Sequence, residues 1–310
     1  MSSSLYEVNY YKDFKCIASD CRHSCCEGWQ VRIDGDSAMR YSAIGGEMGE
    51  RLRRAMRQKD GGTVFCLDER GRCPFLNRDG LCDIILSLGE GFLSEICTLH
   101  PRYRNDLSSR TEMGLGLSCE AAARLVLLRE EKTALVLVRE GRKKPHGFEK
   151  RLLLEREALL AIATDRTLAF STRENMLLER AGYSRDFLRK EKWLPVYRTL
   201  ERLDNAFDTC LNLWEHASGE ICQKSIDTAP EQLLVYFILR HTTASKNKRD
   251  LRARTAFCVL ASRHILAIAA ARGGTPIDLV DTARLYSSEI EYSEENTAAL
   301  LDNCQKSRLA

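Results

Sequence analysis

From residue 148 onward the apolar positions of this chain return close to every 3.6 residues, the period that lines one face of a helix. That pattern predicts helices over 148–164, 171–182, 185–203, 206–217, 229–243, 249–272, 276–287 and 293–303. In the longest of them Leu251, Phe257, Leu260, His264, Ile265 and Ile268 share a face and should meet a core. Pro230 with Glu231 suits a helix start, and Gly273 with Gly274 a helix end. Before residue 129 the pattern is shorter in wavelength and more often broken. It predicts a strand over 29–34, a helix over 37–58, a turn at Gly61 and Gly62, and a strand over 63–68. Two short helices follow between 81 and 96, split by the GEG at 89–91, and NRDG ahead of Leu81 reads as a tight turn. The stretch EGRKKPHG at 140–147 combines charge, Pro and Gly, as loops and linkers do.

Cysteine usage changes this picture. Nine of the 13 cysteines fall in the first 119 residues, beginning with CIASDCRHSCC at 16–26. A chain of 310 residues that is 44% hydrophobic can fold by apolar burial without disulfide staples. Grouped thiols in such a chain point to a thiophilic metal, zinc or an iron–sulfur cluster. The expected architecture is therefore mostly α: a cysteine-rich metal-cluster domain of short helices and loops over 1–128, then an all-α helical domain over 129–310. Cys210, Cys222, Cys258 and Cys304 are spread through the second part and are read as packing, Cys258 above all.

Two familiar metal templates do not match. A C-x3-C-x2-C loop starting at Cys21 would need a cysteine where Gly28 stands, and no cysteine has a partner three residues on, as a zinc ribbon requires. Charge adds little: residues 1–119 hold 16 Lys and Arg against 17 Asp and Glu, so no nucleic-acid partner is expected, and RLRRAMRQK at 51–59 reads as a solvated helix face. The longest apolar run, ILAIAAA at 265–271, is too short to span a bilayer, and MSSSLYEVNYYKDFK does not read as a secretory signal. A cytoplasmic protein without a membrane span is expected. GLG at 114–116 and GEG at 89–91 are fragments of a nucleotide-binding loop at most.

The order of FKC, C-x3-CC-x-G, CPFLNRDGLCDI, LGEGFLSEICTLHPRY and LSCEAAARL resembles the flagellin lysine-N-methylase family, whose N-terminal part is similar to the YkgJ-like cysteine-cluster proteins. LLVYFILRH at 233–241 extends the likeness into the helical half. The resemblance implies an S-adenosylmethionine-dependent protein-lysine N-methyltransferase, with flagellin as protein substrate and a [4Fe-4S] cluster on the cysteine motifs. It assigns Cys16, Cys21, Cys25, Cys26, Cys73, Cys82, Cys97 and Cys119 as metal ligands, of which one cubane takes four. Glu120 follows Cys119 where the family tends to have proline, and Thr98 stands where it often has arginine. Beside the cysteines, His100 and Tyr103 are candidates for catalysis, and Arg102 and Arg104 for holding the carboxylate of the methyl donor. The competing reading is a non-enzymatic zinc or iron–sulfur module for metal handling or redox sensing. A thiol redox enzyme built on the adjacent Cys25 and Cys26 ranks last, because vicinal cysteines close a strained disulfide.

Overall fold

A computed structural model describes residues 2–28, 30–59, 61–217 and 228–307. Trp29, the expected start of a strand, and Cys222 lie outside the described residues. In chain order the strand β1 (Ser4–Val8) precedes β2 (Arg32–Ile33), α1 (Gly35–Ala43), α2 (Gly46–Ala55), β3 (Met56–Lys59) and β4 (Gly62–Phe65). Then come α3 (Asp83–Leu88), α4 (Glu95–Leu99), β5 (Arg102–Asp106), β6 (Arg110–Leu115), α5 (Glu120–Leu127) and β7 (Leu135–Arg139). The helical part contains α6 (Gly147–Ala163), α7 (Phe170–Ala181), α8 (Lys190–Thr199), α9 (Ala206–His216), α10 (Ala229–His241), α11 (Lys248–Arg272), α12 (Pro276–Tyr286) and α13 (Glu294–Lys306), with a π-helical turn at Ser287–Glu291 before the last.

The chain is mostly helical, and its contacts divide it into two compact units. A thiol-rich unit comprises residues 15–102 and 119–121; a helical unit comprises 1–14, 103–118 and 122–310. This division differs from one at 128/129 because the helical unit also holds a four-stranded sheet of order β5-β6-β1-β7, with β1 parallel to β6 and antiparallel to β7. The expectation of an all-α second part is corrected accordingly. β7 arises within the stretch between 129 and 147, as an edge strand whose Val136, Leu137 and Val138 are all substantially exposed. With both faces apolar, it lacks the alternation that announces a half-buried strand.

In the thiol-rich unit the helix expected over 37–58 is two helices and a strand. The break falls at Gly45 and Gly46, where Gly46 takes φ +69, a conformation glycine adopts without strain. β3 turns back on β4, and β2 pairs with β4's other edge. Between them and α1, α2 and α3 lies a core of Val31, Ile33, Tyr41, Leu52, Phe65, Phe75 and Ile84. GEG at 89–91 divides α3 from α4 as expected, with Gly89 at φ +90.

Asp34 secures this unit at two points. One carboxylate oxygen accepts from the Ser37 N–H at 2.8 Å and so caps α1, while the other accepts from the Glu95 N–H at 2.8 Å at the start of α4. Burial works against the charge, yet these donors hold the carboxyl at about 2. Asp34→Ala should cost about 1–2 kcal/mol. The contribution is present above the ordinary carboxylate range and is lost as pH falls toward 2, so chemical denaturation of the two proteins should converge in acid.

The helical unit is organised around α11, which packs against α7, α9, α10, α12 and α13. All six residues expected to face the core are buried. By length and composition α11 could cross a membrane, but 78% of its apolar window is buried inside the protein, so it is a core helix. Gly273 ends it as the sequence signals, and at its start the Asn247 side chain accepts from the Asp250 N–H. The predicted helix over 185–203 is a short 3-10 turn at Arg185–Leu188 followed by α8, with Pro195 inside the latter.

Candidate metal centre

The thiol-rich unit brings together all eight cysteines assigned above as ligands. Cys73 is buried in its apolar core, and Cys26, Cys82 and Cys97 pack against that same core. A backbone hydrogen bond of 2.7 Å from Cys73 to Cys26 and the Leu76–Cys82 bridge hold their loops in register. Cys16 and Cys25 are exposed, and Cys21 and Cys119 half-buried. Cys66 is exposed on the far end of β4. Cys210, Cys258 and Cys304 are buried in the helical unit, as expected of packing residues.

Backbone groups act on several of these sulfurs. The Ala18 N–H reaches the Cys16 sulfur at 3.4 Å, and the backbone at Phe75 and at Ile84 and Ile85 acts to lower the pKa of Cys73 and Cys82 against burial. Backbone N–H groups two or three residues further along the chain favour a thiolate, the form that binds metal. Protonation follows crowding as well as solvation. Burial pushes Cys73 up to about 12, reinforced by the charges of Cys26, Cys97 and Cys82. Burial raises Cys82 and Cys97 too, with Cys26 adding to both. Cys25 donates to Cys26, which keeps Cys25 protonated and lowers Cys26 to about 7 against the effect of burial.

In donor type and number, the residues suit a sulfur-bound metal. Among the described residues, no three His, Cys, Asp or Glu side chains yet stand close enough together to hold an ion. Crowded thiols in a low-dielectric setting stay protonated and apart; a cation would favour their joint ionisation. Glu120 has a structural part that its place after Cys119 did not announce. Its buried carboxylate accepts from the Arg22 N–H at 2.9 Å, the Arg22 Nε at 3.1 Å and the Cys21 thiol at 3.8 Å.

The four residues expected around the cysteines separate. His100 and Arg102 group with the thiol-rich unit, Tyr103 and Arg104 with the helical unit. Burial holds the His100 imidazole at about 4, so it is neutral near pH 7. Arg102 donates to the Thr98 carbonyl at 3.3 Å, and Arg104 pairs with both oxygens of Asp106 at 2.9 and 2.8 Å on an exposed strand. The Tyr103 ring lies under the Arg240 guanidinium, 4.7 Å from its centroid, and meets Tyr236 edge-on. The absence of a side chain at Gly114 makes room for it: a Cβ there would come within 2.3 Å of the ring.

Around Tyr103 is a charge network that no sequence motif revealed. Glu291, on the π-helical turn, has a fully buried side chain that pairs with Arg240 at 2.6 Å and His241 at 2.7 Å and accepts from the Tyr236 hydroxyl at 2.8 Å. Burial opposes its charge, but Arg240 prevails and the carboxyl is held at about 2. A separate cleft of about 590 Å³ in the helical unit is lined by Phe148, Arg151, Arg180, Lys248 and Arg252 among others. Its size is ordinary for a small-molecule site.

No family profile and no solved structure matches the chain. Among curated proteins it is similar to a lysine-N-methylase of Salmonella typhimurium, at 27% identity over 135 residues, which are 42% of this chain and 34% of that protein. A lysine-N-methylase of Salmonella choleraesuis matches at 26% identity over the same extent. The flagellar biosynthetic protein FliU of Salmonella muenchen is 26% identical over 156 residues, 48% of this chain and 88% of that protein. The chain thus spans about a third of the length of the two lysine-N-methylases it matches. Over just under half of its own length, the chain is similar to the flagellin lysine-N-methylase family that its cysteine motifs resemble.

Proposed function

We propose that this protein is a protein-lysine N-methyltransferase that modifies surface lysines of flagellin in the cytoplasm, with S-adenosylmethionine as methyl donor and a [4Fe-4S] cluster on its cysteines. The observation that carries the reading is the likeness to two lysine-N-methylases and a flagellar protein in a chain whose eight motif cysteines gather in one unit. In the transfer, the neutral lysine nitrogen bonds to the sulfonium methyl carbon as the carbon–sulfur bond breaks, and a proton leaves the product amine. Lysine titrates near 10.4 in water, so the site must first favour its neutral form. His100, at about 4, is too weak a base to take that proton directly and would act as a hydrogen-bond acceptor. Removing the lysine from water would favour that neutral form. Arg102 would hold the donor's carboxylate; Arg104 would have to give up Asp106 to share that task. A cysteine-bound cluster would supply a compact, electron-rich centre that fixes the surrounding loops.

The test is anaerobic purification, iron, sulfide and zinc analysis, and incubation with flagellin and methyl-labelled S-adenosylmethionine. Label on flagellin lysines is expected. Unlabelled flagellin with fully metal-loaded protein would remove the reading. That outcome would favour a non-enzymatic zinc or iron–sulfur module, a reading supported by the short extent over which the chain matches the methylases.

A further inference from the structure

We propose that the cleft lined by α6, α7 and α11 binds a small organic anion, an apolar body that carries a phosphate or carboxylate group. The proposal goes beyond methyl transfer and does not depend on it.

Charge is the first argument. Every residue lining the cleft belongs to the helical unit. Arg151, Arg180, Lys248 and Arg252 bring four cations to it, against the single carboxylate of Glu155 among the described residues. That carboxylate is already committed, because its two oxygens accept from Arg180 at 2.6 and 2.9 Å. Among the described residues no carboxylate pairs with Arg151, Lys248 or Arg252. Other arginines of the same unit do find acidic partners: Arg166 and Arg173 share Glu231, Arg254 holds Asp250 and Arg263 holds Glu174. Three uncompensated cations around one cleft repel each other, and an anion bound among them relieves that repulsion.

The second argument is apolar surface. Leu159 and Leu251 are buried, whereas Leu154 is 57% exposed and lines the same cleft. The Arg151 guanidinium lies over the Phe148 ring, 5.9 Å from its centroid, so a cation and an aromatic ring are presented together. An inorganic ion would leave this apolar lining wet, and a neutral apolar molecule would leave the cations unanswered. A volume of about 590 Å³ suits a ligand that satisfies both. The same charges disfavour the sulfonium of S-adenosylmethionine, so the anion is a different ligand from the methyl donor.

The test titrates the full chain with anilinonaphthalene sulfonate, an aromatic anion whose fluorescence reports binding, beside the uncharged phenylnaphthylamine. Saturable binding of the anionic dye is expected. Replacing both Arg151→Gln and Arg252→Gln should weaken it by about tenfold or more, the loss of charge-assisted hydrogen bonds, and leave the neutral dye unaffected. Arg151→Lys with Arg252→Lys keeps the charges and should retain most of the affinity. Anionic binding that survives the Gln substitutions, or falls equally for both dyes, would overturn the proposal. Competition then identifies the anion: displacement by ATP assigns a phosphate ligand and displacement by decanoate a carboxylate one. Displacement by neither at millimolar concentration would mean a dye site only and overturn the proposal, as would displacement by S-adenosylmethionine.

Discussion

Glu291→Gln is expected to destabilise the helical unit by about 3–5 kcal/mol, the cost of breaking a buried ion pair. The carboxylate is fully enclosed, and its removal leaves the Arg240 guanidinium over Tyr103 without its 2.6 Å partner. Gln can still accept from Tyr236 but cannot offset the buried positive charge. The loss should be read as a lower urea midpoint. Glu291→Leu combined with Arg240→Met should recover much of it, because a buried pair replaced by apolar groups of similar volume is often neutral. If the double variant is as unstable as the single, charge is not the cause.

The same network sets an acid limit. Glu291 titrates at about 2 in the folded chain, well below an ordinary glutamate, so its stabilisation is complete above the ordinary carboxylate range and lost as pH falls toward 2. The gap between the native chain and Glu291→Gln should therefore narrow steadily in acid. A gap independent of pH from 6 down to the acid transition would contradict the assignment.

Phe65→Ala is expected to have a comparable effect on the thiol-rich unit, about 3–5 kcal/mol for an aromatic removed from a packed core. Phe65 is 1% exposed, lies 5.9 Å from Tyr41 in a stacked pair and 4.9 Å from Phe75, and receives no compensating solvent when truncated. The core it fills is the one that Cys73 enters and Cys26, Cys82 and Cys97 lean on. Any metal held by the motif cysteines should be lost along with the stability, because ligand geometry and folding are coupled. Thermal unfolding with metal analysis before and after gel filtration measures both. Full metal retention with reduced stability would separate the thiols from this core.

The helical unit was largely legible because its signals are local. Pro230 marks a start and Gly273 an end, and a 3.6-residue period marks faces. The sheet was not, because β1 pairs with β6 across a long separation and β7 shows no alternation. Cysteine density was enough to expect one thiol-rich unit, whereas the burial of Cys73 and the exposure of Cys25 depend on which way each side chain turns. Arg240 and Glu291 escaped notice for a related reason: a charge inside an apolar helix and another in a polar turn become partners only in three dimensions. His100 and Tyr103, three residues apart in sequence, group with different units.

The position of β1 between β6 and β7 also imposes an order on synthesis. A chain emerging from the ribosome exposes β1 first, yet its neighbours are residues 110–115 and 135–139. At translation rates of about 5–20 residues per second, that strand waits on the order of ten seconds for both edges to be covered. Residues 15–102, which lie between β1 and β6 in the chain, emerge before β6, and Cys119 only after it. The nascent thiol-rich unit can thus mature around Cys97 before its last cysteine leaves the exit tunnel.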